Sequence, residues 1–152
     1  MLDNRSMPSS TVIPVLVYED VAEAAEWLCD AFGFAERLRI GDHRIQLAFG
    51  DGAVVVTGRR VASGSWSSDP IEFRPPRRGV VSHSVTVRVE DVDAHYERAR
   101  ENGARIVQPP ADHPYGERQY AAEDLAGHRW TFSQSIADVA PEDWGGEPVQ
   151  RS

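Results

Sequence analysis

The sequence predicts an α+β fold built from two tandem βαβββ modules. Two observations carry that prediction: a strand, Glu-Asp-Val, helix, glycine pattern that occurs twice, and runs of strand-like residues separated by turns after each helix. Composition supports it. The 152 residues are 41% hydrophobic and 26% charged, the balance of one compact domain or two small fused modules with a sizeable core.

The first module opens with "TVIPVLVYEDVAEAAEWLCDAFGF" and the second with "SHSVTVRVEDVDAHYERARENGA". Val21, Ala24, Ala25, Leu28 and Phe32 recur at the spacing of one helical face. Asp20 is placed to cap that helix, with Glu23 positioned for a capping box and Gly33 suited to ending it. The second helix repeats the design, with Asp91 as cap, Val92, Tyr96 and Ala99 on the buried side and Gly103 as terminator. "ERLRI", "HRIQLAF" and "AVVVTG" then read as strands of the first module, with turns at Gly41-Asp42 and Asp51-Gly52; "ARIVQ", "RQYAAE" and "RWTFSQ" are their counterparts in the second. Residues 58 to 80 are rich in Gly, Ser, Pro and Arg and too long for a tight loop, so they are expected to form a linker or a cover over a pocket. Residues 1 to 10 and 135 to 152 read as surface extensions, the latter packing through Trp144.

Several functions are disfavoured by composition. A formal net charge of -8 repels nucleic acid and anionic membranes, and no segment reaches the roughly 20 apolar residues that span a bilayer. The start "MLDNRSMPSS" lacks the apolar run of a signal peptide, so a soluble cytoplasmic protein is expected. The single cysteine, Cys29, excludes an intrachain disulfide, and its place beside Leu28 on a helix predicts a buried, inert thiol. There is no Gly-x-Ser-x-Gly elbow, phosphate loop or dinucleotide fingerprint. Arg59, Arg60, Arg74, Arg77 and Arg78 read as a solvated loop, with an anionic partner as the other reading.

Two such modules, with their "EDV" helix starts and the closing "YGERQYAAEDLAGHRWTF", resemble the vicinal oxygen chelate superfamily of glyoxalase I, extradiol dioxygenases and bleomycin-resistance proteins. The chain looks most like its uncharacterised glyoxalase-like branch, over residues 11 to 134. The resemblance implies a mixed sheet curved around a cavity, with the helices on the outer face. It also implies a single domain over residues 1 to 152: module 1 at 11 to 58, a connecting loop at 59 to 81, module 2 at 82 to 134 and a C-terminal extension at 135 to 152.

Alternation assigns side chains to the two faces of each sheet. Val85, Val87 and Val89 share one face with the helix, as do His128, Trp130 and Phe132, and in the first module Ile45, Leu47 and Phe49. Ile13, Val15, Val17, Val54 and Val56 are expected on the first module's cavity side. The polar set on the cavity side is Arg44, Gln46, Ser84, Thr86, Arg88, Arg129 and Thr131. Resemblance adds Arg118 and Tyr120 from the family's Tyr-Gly-x-Arg segment, and Trp66 or Tyr120 is expected to cover a ring. Arginine forks suit carboxylate or phosphate, although pairing with Glu117 or Glu123 is an equal use for them.

The resemblance also implies where a divalent ion would be held in active members: Ile13, Val56, Ser84 and Thr131, none of them a strong ligand. No metal and no cofactor are therefore expected. His43 and His113 read as loop residues, His95 as a hydrogen-bonded structural histidine, and His128 as an anchor of its turn, with Asp124 its expected partner. A one-residue slip that brought His83 into the site would turn the valines of its strand outward.

Three functions follow. A metal-free protein binding a polar or anionic small molecule, as in the drug-sequestering members that work as homodimers, fits best. A metal-dependent glyoxalase-like lyase or dioxygenase is opposed by the empty ligand positions. A metal-free isomerase or lyase would use Tyr120, or an arginine, as acid or electrostatic stabiliser.

Overall fold

A computed structural model describes residues 2–64 and 67–149, without the side chains of 61–69. Trp66 therefore lies outside the described residues. The chain forms two compact units, residues 1–81 with 125–128, and residues 82–124 with 129–152.

The first unit contains β1 (Val15–Tyr18), α1 (Val21–Phe32), β2 (Ala35–Ile40), β3 (Arg44–Phe49) and β4 (Gly52–Gly58). They make a four-stranded sheet in the order β1-β4-β3-β2, with β1 parallel to β4 and the remaining pairs antiparallel. Helix α1 forms where the apolar spacing predicts it, and Val21, Ala24, Ala25, Leu28, Ala31 and Phe32 are buried. Asp20 accepts the Glu23 backbone N–H at 3.0 Å, which satisfies one donor of the first turn.

The second unit repeats the pattern with β7 (Ser84–Arg88), α2 (Val92–Glu101), β8 (Arg105–His113), β9 (Glu117–Glu123) and β10 (Arg129–Ser135), following the β5 and β6 strands described below. Its sheet runs β7-β10-β9-β8, with β7 parallel to β10. Asp91 caps α2 by accepting from the Ala94 N–H at 3.0 Å. At the other end Gly103 takes φ 87, while Ala104 N–H reaches the Ala99 carbonyl and Gly103 N–H that of Arg100. This pair of bonds closes the helix and needs the left-handed residue that glycine supplies. The two βαβββ modules inferred from the repeated punctuation are thus present.

Three segments differ from expectation. Residues 59 to 81 are not simply a loop: β5 (Arg60–Gly64) and β6 (Ser67–Phe73) pair as an antiparallel hairpin. Pro70 falls between Ser67 and Ile71, where the register shifts opposite Ala62 and Gly64, the kind of irregularity to which strand prolines are confined. Strand β8 also outruns the predicted "ARIVQ", continuing through Pro109 and Pro110 by register shifts between Ile106 and Gln108 and between Gln108 and Ala111. As an edge strand it tolerates both prolines. The N-terminal residues, expected to be a surface extension, are tied down: Ser10 donates to the Asp51 carbonyl at 2.7 Å, and Pro8 is buried.

The C-terminal extension packs as its tryptophan suggested. Trp144, in a 3-10 turn over Pro141–Trp144, lies against Tyr115 with ring centroids 5.4 Å apart. Gly116, at φ 83 in the β8–β9 turn, accepts from the N–H groups of Ile136 and Ala137. A Cβ there would stand 2.3 Å from the Ala137 carbonyl oxygen. Gly50 has φ 57 and nothing within 4 Å of an added Cβ, so Gly50→Ala should cost only the about 1–2 kcal/mol of a left-handed non-glycine residue. Gly116→Ala should cost about 1–3 kcal/mol more through the clash. Urea unfolding of both variants checks this, and equal losses would refute the close approach.

Candidate functional site

In the second unit the helix side of the sheet is set by Trp130 and Phe132, both fully buried. Phe132 lies 4.2 Å from the His95 ring of α2 and stacks on Tyr120 at 5.2 Å. The register pairs Trp130 with Val85 and Ala122, and Phe132 with Val87 and Tyr120, so all of these share the helix side. Trp130 Nε1–H donates to Asp124 at 3.0 Å, which satisfies both buried groups.

The opposite face is polar. It carries Ser84, Thr86 and Arg88 from β7, Arg129, Thr131 and Ser133 from β10, and Glu117, Gln119, Ala121 and Glu123 from β9. At one end the buried Glu123 carboxylate accepts from Arg105 at 3.2 Å and lies 3.8 Å from Arg129. At the other, Glu117 accepts from Ser133 at 2.7 Å and from Arg88 at 3.4 Å, and Arg88 also bonds the Ser135 hydroxyl. Hydrogen bonds from Ser135 and Ser133 hold the Glu117 carboxyl below the usual glutamate range. Gln119 donates to Ser133 at 3.0 Å and accepts from Tyr115 at 2.8 Å. Thr131 and Thr86 are register partners between these two charged ends. The arginines of this face are thus matched by carboxylates, one of the two uses that the sequence left open.

In the first unit a Cβ on Gly58 would meet Val21 of α1 at 3.6 Å, which identifies the helix side of β4. Val54 and Val56 share that side with Gly58, and the register pairs them with Leu47 and Ile45. Their expected place on the cavity side is therefore corrected. Five consecutive buried residues, Ala53 to Thr57, give no alternation from which to choose a face. The opposite face holds Val15 and Val17 of β1, Val55 and Thr57 of β4, and Arg44 and Gln46 of β3, with Val15 paired to Val55, Gln46 to Val55 and Arg44 to Thr57. Buried Gln46 accepts from Arg37 and donates to the Ser6 carbonyl at 3.0 Å, while Arg37 also donates to the Arg5 carbonyl at 2.9 Å. Arg37 escaped the sequence reading because it is the bulge residue between Glu36 and Leu38, where the period of two is broken.

Two further placements are corrected. Tyr120 is on the helix side, buried, with its hydroxyl 2.5 Å from His95 Nδ1 and its ring edge-on to Tyr96. Burial pushes that hydroxyl well above the ordinary tyrosine value. Arg118 has the same parity and is held by Asp93 of α2 at 3.0 Å and Asp112 at 2.9 Å. The family segment had placed both on the ligand side, but two residues of a strand with its parity belong to the helix.

The histidines are scaffold or surface. His128 Nε2–H donates to the Val17 carbonyl at 2.8 Å, and its ring lies 4.7 Å from Tyr18, all within the first unit. Its expected partner Asp124 instead accepts from Trp130. His83 is exposed just before β7, and His113 stacks on Tyr115 at 5.2 Å.

The positions implied for a divalent ion were Ile13, Val56, Ser84 and Thr131. The internal repeat corrects one: Val15 pairs with Val55 and its counterpart Thr86 with Thr131, so Val55 is the equivalent of Thr131. Two aliphatic and two hydroxyl side chains do not suit a divalent ion, which takes imidazole, carboxylate or thiolate donors. Among the described residues no group of three or more His, Cys, Asp or Glu is placed to hold one. No helix among them is long and apolar enough to cross a membrane.

The Glyoxalase/Bleomycin resistance protein/Dioxygenase superfamily model matches residues 11–132, and the chain belongs to that superfamily. It is similar to TioX from Micromonospora sp. ML1, a crystal structure with 33% identity and a TM-score of 0.64 over 84% of this chain and 100% of that one. An uncharacterised protein of Mycobacterium bovis is 26% identical over 134 residues, covering 83% of this chain and 84% of its own. Lactoylglutathione lyase from Agrobacterium tumefaciens shares the fold, at 18% identity and a TM-score of 0.60, over 85% of this chain and 96% of that one.

The placement of Tyr120 has measurable consequences. Tyr120→Phe removes the hydroxyl's hydrogen bonds to His95 Nδ1 and to the His95 carbonyl, each worth about 0.5–1.5 kcal/mol. The unfolded chain ionises tyrosine near 10 and the folded chain resists, so stability should fall as pH rises above 10. Tyr120→Phe should flatten that fall in alkaline denaturation, and an unchanged profile would contradict the buried neutral phenol.

Proposed function

We propose that this chain is a metal-independent small-molecule binding protein of the glyoxalase and bleomycin-resistance type, taking a polar or anionic ligand. The observation that carries this reading is the donor chemistry at Ile13, Val55, Ser84 and Thr131, where neither unit offers a carboxylate or imidazole. In the second unit Ser84, Thr86, Arg129 and Thr131 supply hydrogen-bonding groups for a polar ligand, and in the first Arg44 does so on its own face. Arg88 is paired with Glu117 and contributes at the margin of that face.

Binding is favoured over catalysis by the state of the candidate acids. Tyr120 is buried against α2 and kept neutral, and Glu117 is held as a carboxylate by its hydroxyl partners. Neither is poised to exchange a proton near pH 7. A homodimer, as in the sequestering members that the chain resembles, is part of the same proposal; a monomer mass by light scattering would remove that part.

Elemental analysis and thermal shift test the main reading. Purified protein should carry no stoichiometric divalent metal, and a chelator should leave its Tm unchanged. Carboxylated or phosphorylated aromatics should raise Tm, with about 2.7 kcal/mol of added stability at about 100 times Kd. One equivalent of metal, with Tm falling on chelation, would overturn the proposal.

A further inference from the structure

The arginines from β2 to β5 divide into two groups. Arg39 is paired with Glu36 at 2.6 Å and Arg59 with Glu19 at 2.6 Å. Arg37, Arg44 and Arg60 have no ion pair with any described residue, and all three belong to the face opposite α1. Arg37 is bonded to Gln46 on that face, Arg44 is the register partner of Thr57, and Arg60 Nη1 donates to Thr57 Oγ1 at 2.7 Å. In a chain with 24 acidic and 16 basic residues, three unmatched guanidinium groups on one face make a local positive field against the overall charge.

Their geometry separates the roles. Arg37 spends its donors on Gln46 and on the Arg5 carbonyl, so it adds charge but little directional bonding. Arg60 is steadied over the Phe73 ring, 4.4 Å from its centroid. Arg44 is half-buried and stands directly across the ladder from Thr57, at the about 4.5–5.5 Å Cβ spacing of cross-strand neighbours. Arg44 and Arg60 thus flank the same hydroxyl, an arrangement in which one oxyanion accepts from both. On the adjacent strands of this face, Val15 is 42% exposed and presents aliphatic surface, while Val17 and Val55 beside it are buried.

We infer that the first unit's face opposite α1 anchors an amphiphilic organic anion: Arg44 and Arg60 take its carboxylate or phosphate group, and the exposed Val15 meets its apolar body. This rests on the small-molecule reading above and assigns the ligand's negative charge to the first unit, because the arginines of the second are already neutralised by Glu117 and Glu123. It also changes the reading of Arg60, which the sequence grouped with solvated loop arginines.

Calorimetric titration of the full chain with 1-naphthoate, 1-naphthyl phosphate and the neutral 1-naphthalenemethanol tests it. At least one anion should bind about 10-fold or more tightly than the alcohol, and its advantage should shrink with added salt. The tighter of the two anions identifies the group. Arg44→Gln should remove most of the anion's advantage over the alcohol, and Arg44→Lys, which keeps charge but loses the fork, should fall between. Arg74→Gln, paired with Glu72, should change nothing, and unfolding midpoints confirm that each variant folds. Equal binding of anions and alcohol, or full anion binding by Arg44→Gln, overturns the anion anchor but leaves small-molecule binding standing. Failure of all three probes to bind overturns both.

Discussion

Each four-stranded sheet is organised by the burial of one face under its own helix, and the placement of its polar side chains follows from that. Trp130 and Phe132 in the second unit, and Ile45, Leu47, Val54 and Val56 in the first, are almost wholly removed from water. Each such side chain contributes about 1.5–3 kcal/mol, far more than the surface ion pairs, whose median worth is about 0–1 kcal/mol. Because side chains alternate strictly, fixing these residues inward forces Thr131, Ser133, Arg44 and Gln46 to the other face. The polar faces are therefore a consequence of the apolar ones.

The two polar faces have come to different chemistry from the same repeat. In the second unit, carboxylates at both ends of β9 meet the arginines of β7 and β10, and Glu117 is further tied to Ser133, which itself accepts from Gln119. In the first, the corresponding region holds Gln46 and Thr57, neutral groups that hydrogen-bond arginine without cancelling its charge. Burial of the neutral Gln46 is tolerated because both ends of its amide are satisfied, by Arg37 and by the Ser6 carbonyl. The N-terminal residues thus serve as backbone partners for a buried side chain.

Much of this was legible in the chain. Both caps, both helix stripes and the alternation in "SVTVRV" and "RWTFSQ" are local signals, and the structure follows them. Legibility stopped where local pattern is absent or misleading. "AVVVT" is apolar throughout, so its parity was set only by the register with Ile45 and Leu47. Tyr120 and Arg118 looked like ligand-side residues because of the motif that contains them, yet pairing with Phe132 and Gln134 turns both toward the helix. The Arg37 bulge and the β5–β6 hairpin depend on interstrand hydrogen bonds that no short-range pattern announces.

The stretch "EDLAGHRWTFSQ" shows the division plainly. Sequence alone determined that Trp130 and Phe132 share a face and that Arg129, Thr131 and Ser133 share the other, because a strand has a period of two; His128, read onto the first face, precedes the strand and belongs to the first unit. Only the tertiary structure decided the partners: Asp124 takes the Trp130 indole, His128 takes the Val17 carbonyl from 111 residues away, and Glu123 takes Arg105 and Arg129. Parity is a property of the local backbone, whereas the choice of partner depends on which distant strand arrives alongside.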